Sequence, residues 1–323
     1  MARIAKSLVA ATLTLVGLTA GGCTLGASSP RGGGAELTVT RDFGARVVLR
    51  AHEDPIRGGE TAMRLLLRNA RVGTRYSGRF VETVNGISSR EESGRREDWF
   101  YYVNGIEAEV GAAERDVKPG DHVWWDYHDW TGAMRVPAVV GSYPEPFLHG
   151  SGGKLYPIRI DCAQNATREC DHVASRLDKA GVGASTTAIG AATGKEVMRL
   201  VVGEWTDVRR DAAAQQLEQG PAKSGVFARF SAGGAGGKAG GKSYELDLLD
   251  AQNRVVRRLG SGAGLVAATR FEEQQPTWVV AGTDRAGLDE AVRLLDPKVL
   301  HDRFAIATDG HAPAPLPVAA GAS

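Results

Sequence analysis

The sequence predicts an α+β chain in two folded parts: a sheet crossed by one helix, then an α/β unit built on a mixed sheet. Three observations predict it. The 323 residues exceed the ~100–200 of one ordinary domain. Apolar residues alternate with period two through much of 35–145, whereas from 155 onward short apolar strands take turns with helical patterns. Between these stretches, Ser142-Tyr143-Pro144-Glu145-Pro146 and Gly150-Ser151-Gly152-Gly153 punctuate the chain, which sets a linker at 146–154. A hydrophobic share of 42% supports globular domains, and 42 glycines point to abundant loops. Three cysteines exclude a disulfide-rich scaffold, and 39 basic against 38 acidic residues exclude a general nucleic-acid binder.

Residues 1–22 stand outside the fold. Arg3 and Lys6 precede an apolar run, Ser7–Gly22, shorter than the ~20 residues of a spanning helix. The run ends Leu18-Thr19-Ala20-Gly21-Gly22-Cys23 and resembles a bacterial lipoprotein signal with its lipobox, Ala20 standing where leucine is usual. The resemblance implies cleavage before Cys23, a diacylglyceryl thioether on that cysteine, and a lipid-anchored protein on the outer face of the cytoplasmic membrane. Losing Arg3 and Lys6 turns the net charge from +1 to −1. Residues 23–34 then form a flexible lipidated tether with a reach of about 18 Å. Cys162 and Cys170 remain, and outside the cytoplasm the pair reads as a disulfide. Two thiolates alone make the weaker, metal-binding alternative.

In 35–145, Leu37 and Val39, then Val47 and Leu49, alternate around Asp42-Phe43-Gly44, an opening hairpin. Thr61 can cap a helix through Asn69, with Met63, Leu66, Leu67 and Ala70 on one face. Strands follow at 78–84 and 98–103. Asn104-Gly105 is the strongest hairpin turn in the chain, and Lys118-Pro119-Gly120-Asp121 launches a strand over His122–Trp130. A hairpin, a helix laid across it, then further strands is a β-grasp order.

Trp99-Phe100-Tyr101-Tyr102-Val103-Asn104-Gly105, Gly111-Ala112 and Gly120-Asp121-His122-Val123-Trp124-Trp125-Asp126-Tyr127 carry a resemblance over about 110 residues. They look like the transcobalamin carboxy-terminal-like domain family, of otherwise unassigned function in bacteria. It implies the β-grasp fold, with cobalamin or another corrinoid as ligand and a membrane uptake transporter as partner. Within it Trp99, Tyr101, Asn104, Gly105, Gly120, Asp121, Trp125 and Tyr127 read as structural. Period two sends Trp99, Tyr101, Val103, Val123, Trp125 and Tyr127 to a core face against the helix. The opposite face gathers Phe100, Tyr102, His122, Trp124, His128 and Trp130. Two readings stay open for that face: cover by the second domain or linker, and a platform for a flat ligand. His122, Asp126 and His128 share it with Asp129 nearby, but the spacing is not that of a dedicated metal site, and no metal is assigned.

In 155–310 strands are expected at 156–161, 185–189, 197–202, 226–230, 244–249, 254–259, 276–281 and 304–307, with helices at 171–180, 211–218 and 287–295. Val201–Phe230 and Val279–Ala307 look like copies of one strand–helix–strand unit, with Cys162–Gly190 a degenerate third. Ala232–Lys242 reads as an inserted glycine loop, and 311–323 as a disordered tail.

Catalytic signatures fail. Gly190–Glu196 is one residue short of a phosphate loop and has Glu196 where a hydroxyl is required. Gly260-Ser261-Gly262-Ala263-Gly264 lacks a ribose-binding acid in a clear βαβ unit. Ser224 has no elbow context, Glu272-Glu273 reads as solvated, and Asn165-Ala166-Thr167 as coincidence. The expectation is therefore a non-enzymatic binding lipoprotein without a cofactor, capturing a small molecule for uptake. A protein-interaction or envelope-structural lipoprotein is the alternative.

Overall fold

The computed structural model describes residues 33–233 and 243–319. The signal segment, Cys23, most of the tether and most of the expected glycine loop lie outside the described residues.

The first half opens with β1 (Ala35–Arg41) and β2 (Arg46–Glu53), an antiparallel hairpin. Asp42, Phe43 and Gly44 turn it with positive φ. Helix α1 (Ala62–Asn69) starts where Thr61 Oγ1 accepts the Arg64 N–H at 3.2 Å. Next come β3 (Val72–Arg75), β4 (Phe80–Val84), β5 (Ile87–Ser88), β6 (Arg90–Glu92), β7 (Arg95–Val103), β8 (Ile106–Glu107) and β9 (His122–Asp129). The main sheet runs β2-β1-β9-β7-β6, with β8 on β7, while β3, β4 and β5 form a side sheet. Strand β9 is central, parallel to β1 and antiparallel to β7. One face buries Leu37, Val39, Trp99, Val103, Val123, Trp125 and Tyr127 against α1, as period two requires. The helix has the expected bounds and buries Met63 and Leu66 as expected, but Ala62 and Leu65 complete the buried stripe and Leu67 is half exposed, since Leu67 lies ~100° around the helix from Leu66, on the side away from Ala62 and Leu65.

The second half contains β10 (Ile158–Cys162), α2 (Thr167–Lys179), β11 (Ser185–Ala188) and β12 (Met198–Glu204). Short helices α3 (Trp205–Val208), α4 (Ala212–Gln215) and α5 (Pro221–Ser224) follow, then β13 (Ala228–Ala232), β14 (Tyr244–Leu249), β15 (Val255–Leu259) and β16 (Gly264–Thr269). The chain closes with β17 (Thr277–Gly282), α6 (Arg285–Leu294), α7 (Pro297–Leu300), β18 (Ala305–Thr308) and β19 (Ala314–Leu316). The large sheet is mixed, in the order β11-β10-β12-β17-β16-β18-β19. Its first four strands are parallel and the remainder antiparallel. The whole is α+β. Cys162 and Cys170 form a disulfide that ties the end of β10 to α2 across a sequence separation of 8.

Several expectations change here. The two copies align only at their first strand, where Val201 and Val202 pair in register with Val279 and Val280. Afterwards they part, because β13 joins a separate three-stranded sheet while β18 stays in the large one. The helix expected at 211–218 breaks into α4, capped by the Asp211 carboxylate, and a 3-10 turn at Gln216–Gln219. Strand β16, buried throughout, was masked by the glycines before it. The tail is not disordered from His311: β19 pairs with β18 and Leu316 is buried, which satisfies backbone groups at the sheet edge. The 146–154 linker is packed, with Phe147 against Trp278 at a centroid distance of 5.0 Å.

Candidate functional site

The aromatic face of β7 and β9 is covered by the second half of the same chain. Phe304, just ahead of β18, sits among Phe43, Tyr102, Trp124 and His128 at centroid distances of 5.2, 5.5, 5.3 and 5.4 Å. Phe227 meets Phe43 edge-on at 5.0 Å. Tyr102 and Trp124 are fully buried, His122 and His128 nearly so, and Phe100 is half-buried over His128 at 4.5 Å. Trp130 lies under the Arg96 guanidinium, 3.9 Å from its ring. A flat ligand therefore finds these rings already occupied by protein.

The polar groups on that face hold the fold together. The fully buried Asp126 accepts hydrogen bonds from Thr40 Oγ1 at 2.5 Å, Phe43 N–H at 3.0 Å and Gly44 N–H at 2.8 Å, and pairs with His128 Nδ1 at 2.8 Å. It thus pins the β1–β2 turn to β9. Asn104 Nδ2 donates to Asp121 Oδ1 at 2.8 Å and to the Gly150 carbonyl at 2.9 Å, while its Oδ1 accepts the His122 N–H at 2.8 Å. Gly105 keeps a positive φ after Asn104, as the turn demands. Among the described residues no three His, Cys, Asp or Glu side chains are gathered closely enough to hold a metal ion.

A cleft of about 430 Å³ lies open along this seam. Its walls come from the start of β1, the end of β2, the turn before β9, residues 141–149 and the end of α7. Its carboxylate and imidazole side chains are those of Glu36, His52, Asp54, Asp121, His122, Glu145, His149 and His301, joined by the phenol of Tyr143, with no lysine or arginine among the lining residues. His122 lies at the floor, its Nδ1 2.9 Å from Ser142 Oγ and its Nε2 3.0 Å from Thr38 Oγ1. Burial drives its pKa down to about 4. The Ser142–His122 pair is thus no nucleophile and base: the far nitrogen meets a hydroxyl rather than a carboxylate, and so acidic an imidazole is a poor general base near neutrality. Burial also raises Asp121 and Glu145, against hydrogen bonds from Lys118 N–H and Asn104 in one case and from His149 in the other. Both ring and backbone nitrogens of His149 are bonded to Glu145.

Of the expected ligand-binding residues only His122 reaches this cleft, joined by the structural residues Gly120 and Asp121. Glu36, His52, Glu145, His149 and His301 carried no motif. The one local hint was Glu145 and His149 spaced i,i+4 in a stretch read as linker. Among the described residues no helix is long and apolar enough to cross a membrane.

A family model described as a domain of unknown function, DUF4430, matches residues 59–129, about a fifth of the chain, from the turn before α1 to the end of β9. No curated protein matches. Among solved structures, a crystal structure from Ruminococcus gnavus ATCC 29149, named a "putative metal binding protein", aligns with 13% identity and a TM-score of 0.23. It covers 30% of this chain and 96% of its own. At that score it supports no argument about fold or ligand.

Proposed function

We propose that the protein is a lipid-anchored binding protein on the outer face of the bacterial cytoplasmic membrane, which captures a small ligand in the seam cleft for a membrane uptake transporter. The observation that carries this reading is the cleft itself. Its volume of about 430 Å³ falls within the ~300–1,000 Å³ of small-molecule sites, and its histidines and carboxylates supply directional polar contacts. Cys23, in its lipobox setting, supplies the anchor and the address. The neutral, buried His122 favours binding over catalysis. Cobalamin or another corrinoid is the ligand that the family resemblance implies. In this reading only one edge or substituent of the corrinoid seats in the cleft, since Phe304 and Phe227 occupy the aromatic face.

Native mass spectrometry of protein purified from membranes tests the reading. The expected result is a non-covalent mass increment that disappears in Glu36→Trp, where a bulky ring on an exposed strand position fills the cleft. Bare protein throughout, or an increment that Glu36→Trp leaves in place, would overturn it. Equilibrium dialysis against cobalamin tests the corrinoid version, which predicts one retained molecule per chain; no retention removes the corrinoid alone.

A further inference from the structure

From Thr61 to Val81 the chain carries five arginines and no aspartate or glutamate, although its overall charge is nearly balanced. Strands β3 and β4 fold part of this stretch into a hairpin that pairs Arg75 with Phe80 and leaves residues 76–79 as its tip. The tip turns aromatic rings to solvent. Tyr76 is 77% and Phe80 37% exposed, and the two meet edge-on at a centroid distance of 6.4 Å. Tyr76 also holds a φ of 52°, left-handed backbone that a bulky side chain seldom adopts. Contacts at Gly111 and Ala112 gather further groups beside this tip. A Cβ on Gly111 would stand 3.8 Å from the Arg79 carbonyl, and the Ala112 carbonyl accepts the Met63 N–H at 2.9 Å. Arg79, the first turn of α1 with its exposed Arg64, and the half-exposed Val110 are therefore neighbours. Arg64 donates to the Gly59 carbonyl, and among the described residues neither it nor Arg79 has a carboxylate partner. The carboxylates nearby are largely taken, Glu82 by Arg75, Glu109 by Arg270 and Asp116 by Lys118. That leaves Glu114 against two free guanidinium groups. The same 111–120 loop ends where the Gly120 N–H meets the Gly34 carbonyl at 2.7 Å, so the tether enters the fold beside it. Exposed aromatic rings flanked by arginines are the composition that settles at the headgroup level of an anionic bilayer.

We propose that the β3–β4 hairpin docks on an anionic bilayer surface, with Tyr76 and Phe80 entering the headgroup layer and Arg64 and Arg79 facing lipid phosphates. The proposal takes the membrane from the lipid-anchor reading of Cys23 and adds a second contact to it. A tether with a reach of about 18 Å brings this end of the first sheet to the surface but leaves its angle open. The two rings and two free arginines set that angle.

Protein purified from membranes, carrying Ser77→Cys with a nitrobenzoxadiazole label at that position, tests this in vesicles of phosphatidylcholine alone and of phosphatidylcholine mixed with phosphatidylglycerol. Flotation of the vesicles reports anchoring, and quenching of the label by a headgroup spin-labelled lipid reports docking. Flotation with both lipids is expected, with quenching about threefold stronger or more where phosphatidylglycerol is present. The same label at Val255→Cys, on β15 of the second half, should stay unquenched. Arg64→Glu combined with Arg79→Glu, and separately Tyr76→Ser, should reduce the quenching to its phosphatidylcholine level. All three positions are exposed, and an unaltered thermal melt separates lost docking from lost fold. Flotation with both lipids but equally weak quenching overturns the hairpin contact and leaves the anchor standing. Flotation with phosphatidylglycerol alone, with the label quenched, removes the anchor and supports the hairpin. Flotation with neither overturns both, and quenching that survives the paired arginine substitutions overturns the proposal.

Discussion

Phe304→Ala asks whether the two halves unfold as one body. Phe304 is 3% exposed and touches four rings that all belong to the first half, although it comes some 175 residues after β9. The substitution removes six ring carbons from a buried site. At ~0.8 kcal/mol per buried carbon group the transfer loss approaches 5 kcal/mol, and large aromatic truncations cost ~3–5 kcal/mol in practice. Losing four edge-on ring contacts favours the upper end of that range. For a chain of this size the midpoint should fall by roughly 6–10 °C. Differential scanning calorimetry together with near-ultraviolet circular dichroism, which reports on Trp124 and Trp125, measures it. The expected outcome is a single transition shifted by that amount in both signals. Two separated transitions, or a destabilisation below about 1 kcal/mol, would refute the account of the seam as a shared core.

Three further outcomes follow from other features. Replacing both Cys162 and Cys170 by serine should lower stability in urea by about 2.5 kcal/mol, the chain-entropy value for so short a loop. The His122 pKa of about 4 lies below its unfolded value near 6.5, so the unfolded chain binds more protons between the two. The contribution is therefore whole above about pH 6.5 and is lost as pH falls toward 4, roughly 3 kcal/mol over the window. Chemical denaturation at pH 6.5, 5.5 and 4.5 should show this slope in the parent protein and a flatter one in His122→Gln. Cys23→Ala should move the protein from the membrane pellet to the soluble fraction on cell fractionation, and retention in the pellet would remove the lipid anchor from the reading.

The sequence made the two faces of β7 and β9 legible because period two survives wherever one face is buried against a helix. The turns at Asn104-Gly105 and before β9 were legible for a similar reason, since local backbone geometry restricts the residues that fit. What was not legible depends on distant contacts. Phe304 carries no local sign that it fills the socket among Phe43, Tyr102 and Trp124. Strand β16 hides behind glycines, one of which, Gly264, is needed because a Cβ there would stand 2.3 Å from the Gly287 carbonyl. The cleft assembles Gly34, His52, Gly120, His149 and His301 from five separate stretches, and no spacing rule connects them. Its location could have been suspected only from the hairpin edge and the turn before β9, both of which end at the same side of the first sheet.

The shared aromatic core also has a consequence in time. A chain made from its amino end completes β9 well before Phe304 exists, and at ~5–20 residues per second the interval is roughly 10–35 s. Throughout it Tyr102, Trp124 and Phe43 face solvent on a sheet otherwise ready to pack. The first half thus spends its youth as an adhesive surface, and a holdase that covers flat aromatic patches would be its natural companion until the carboxy-terminal strands arrive to take that place.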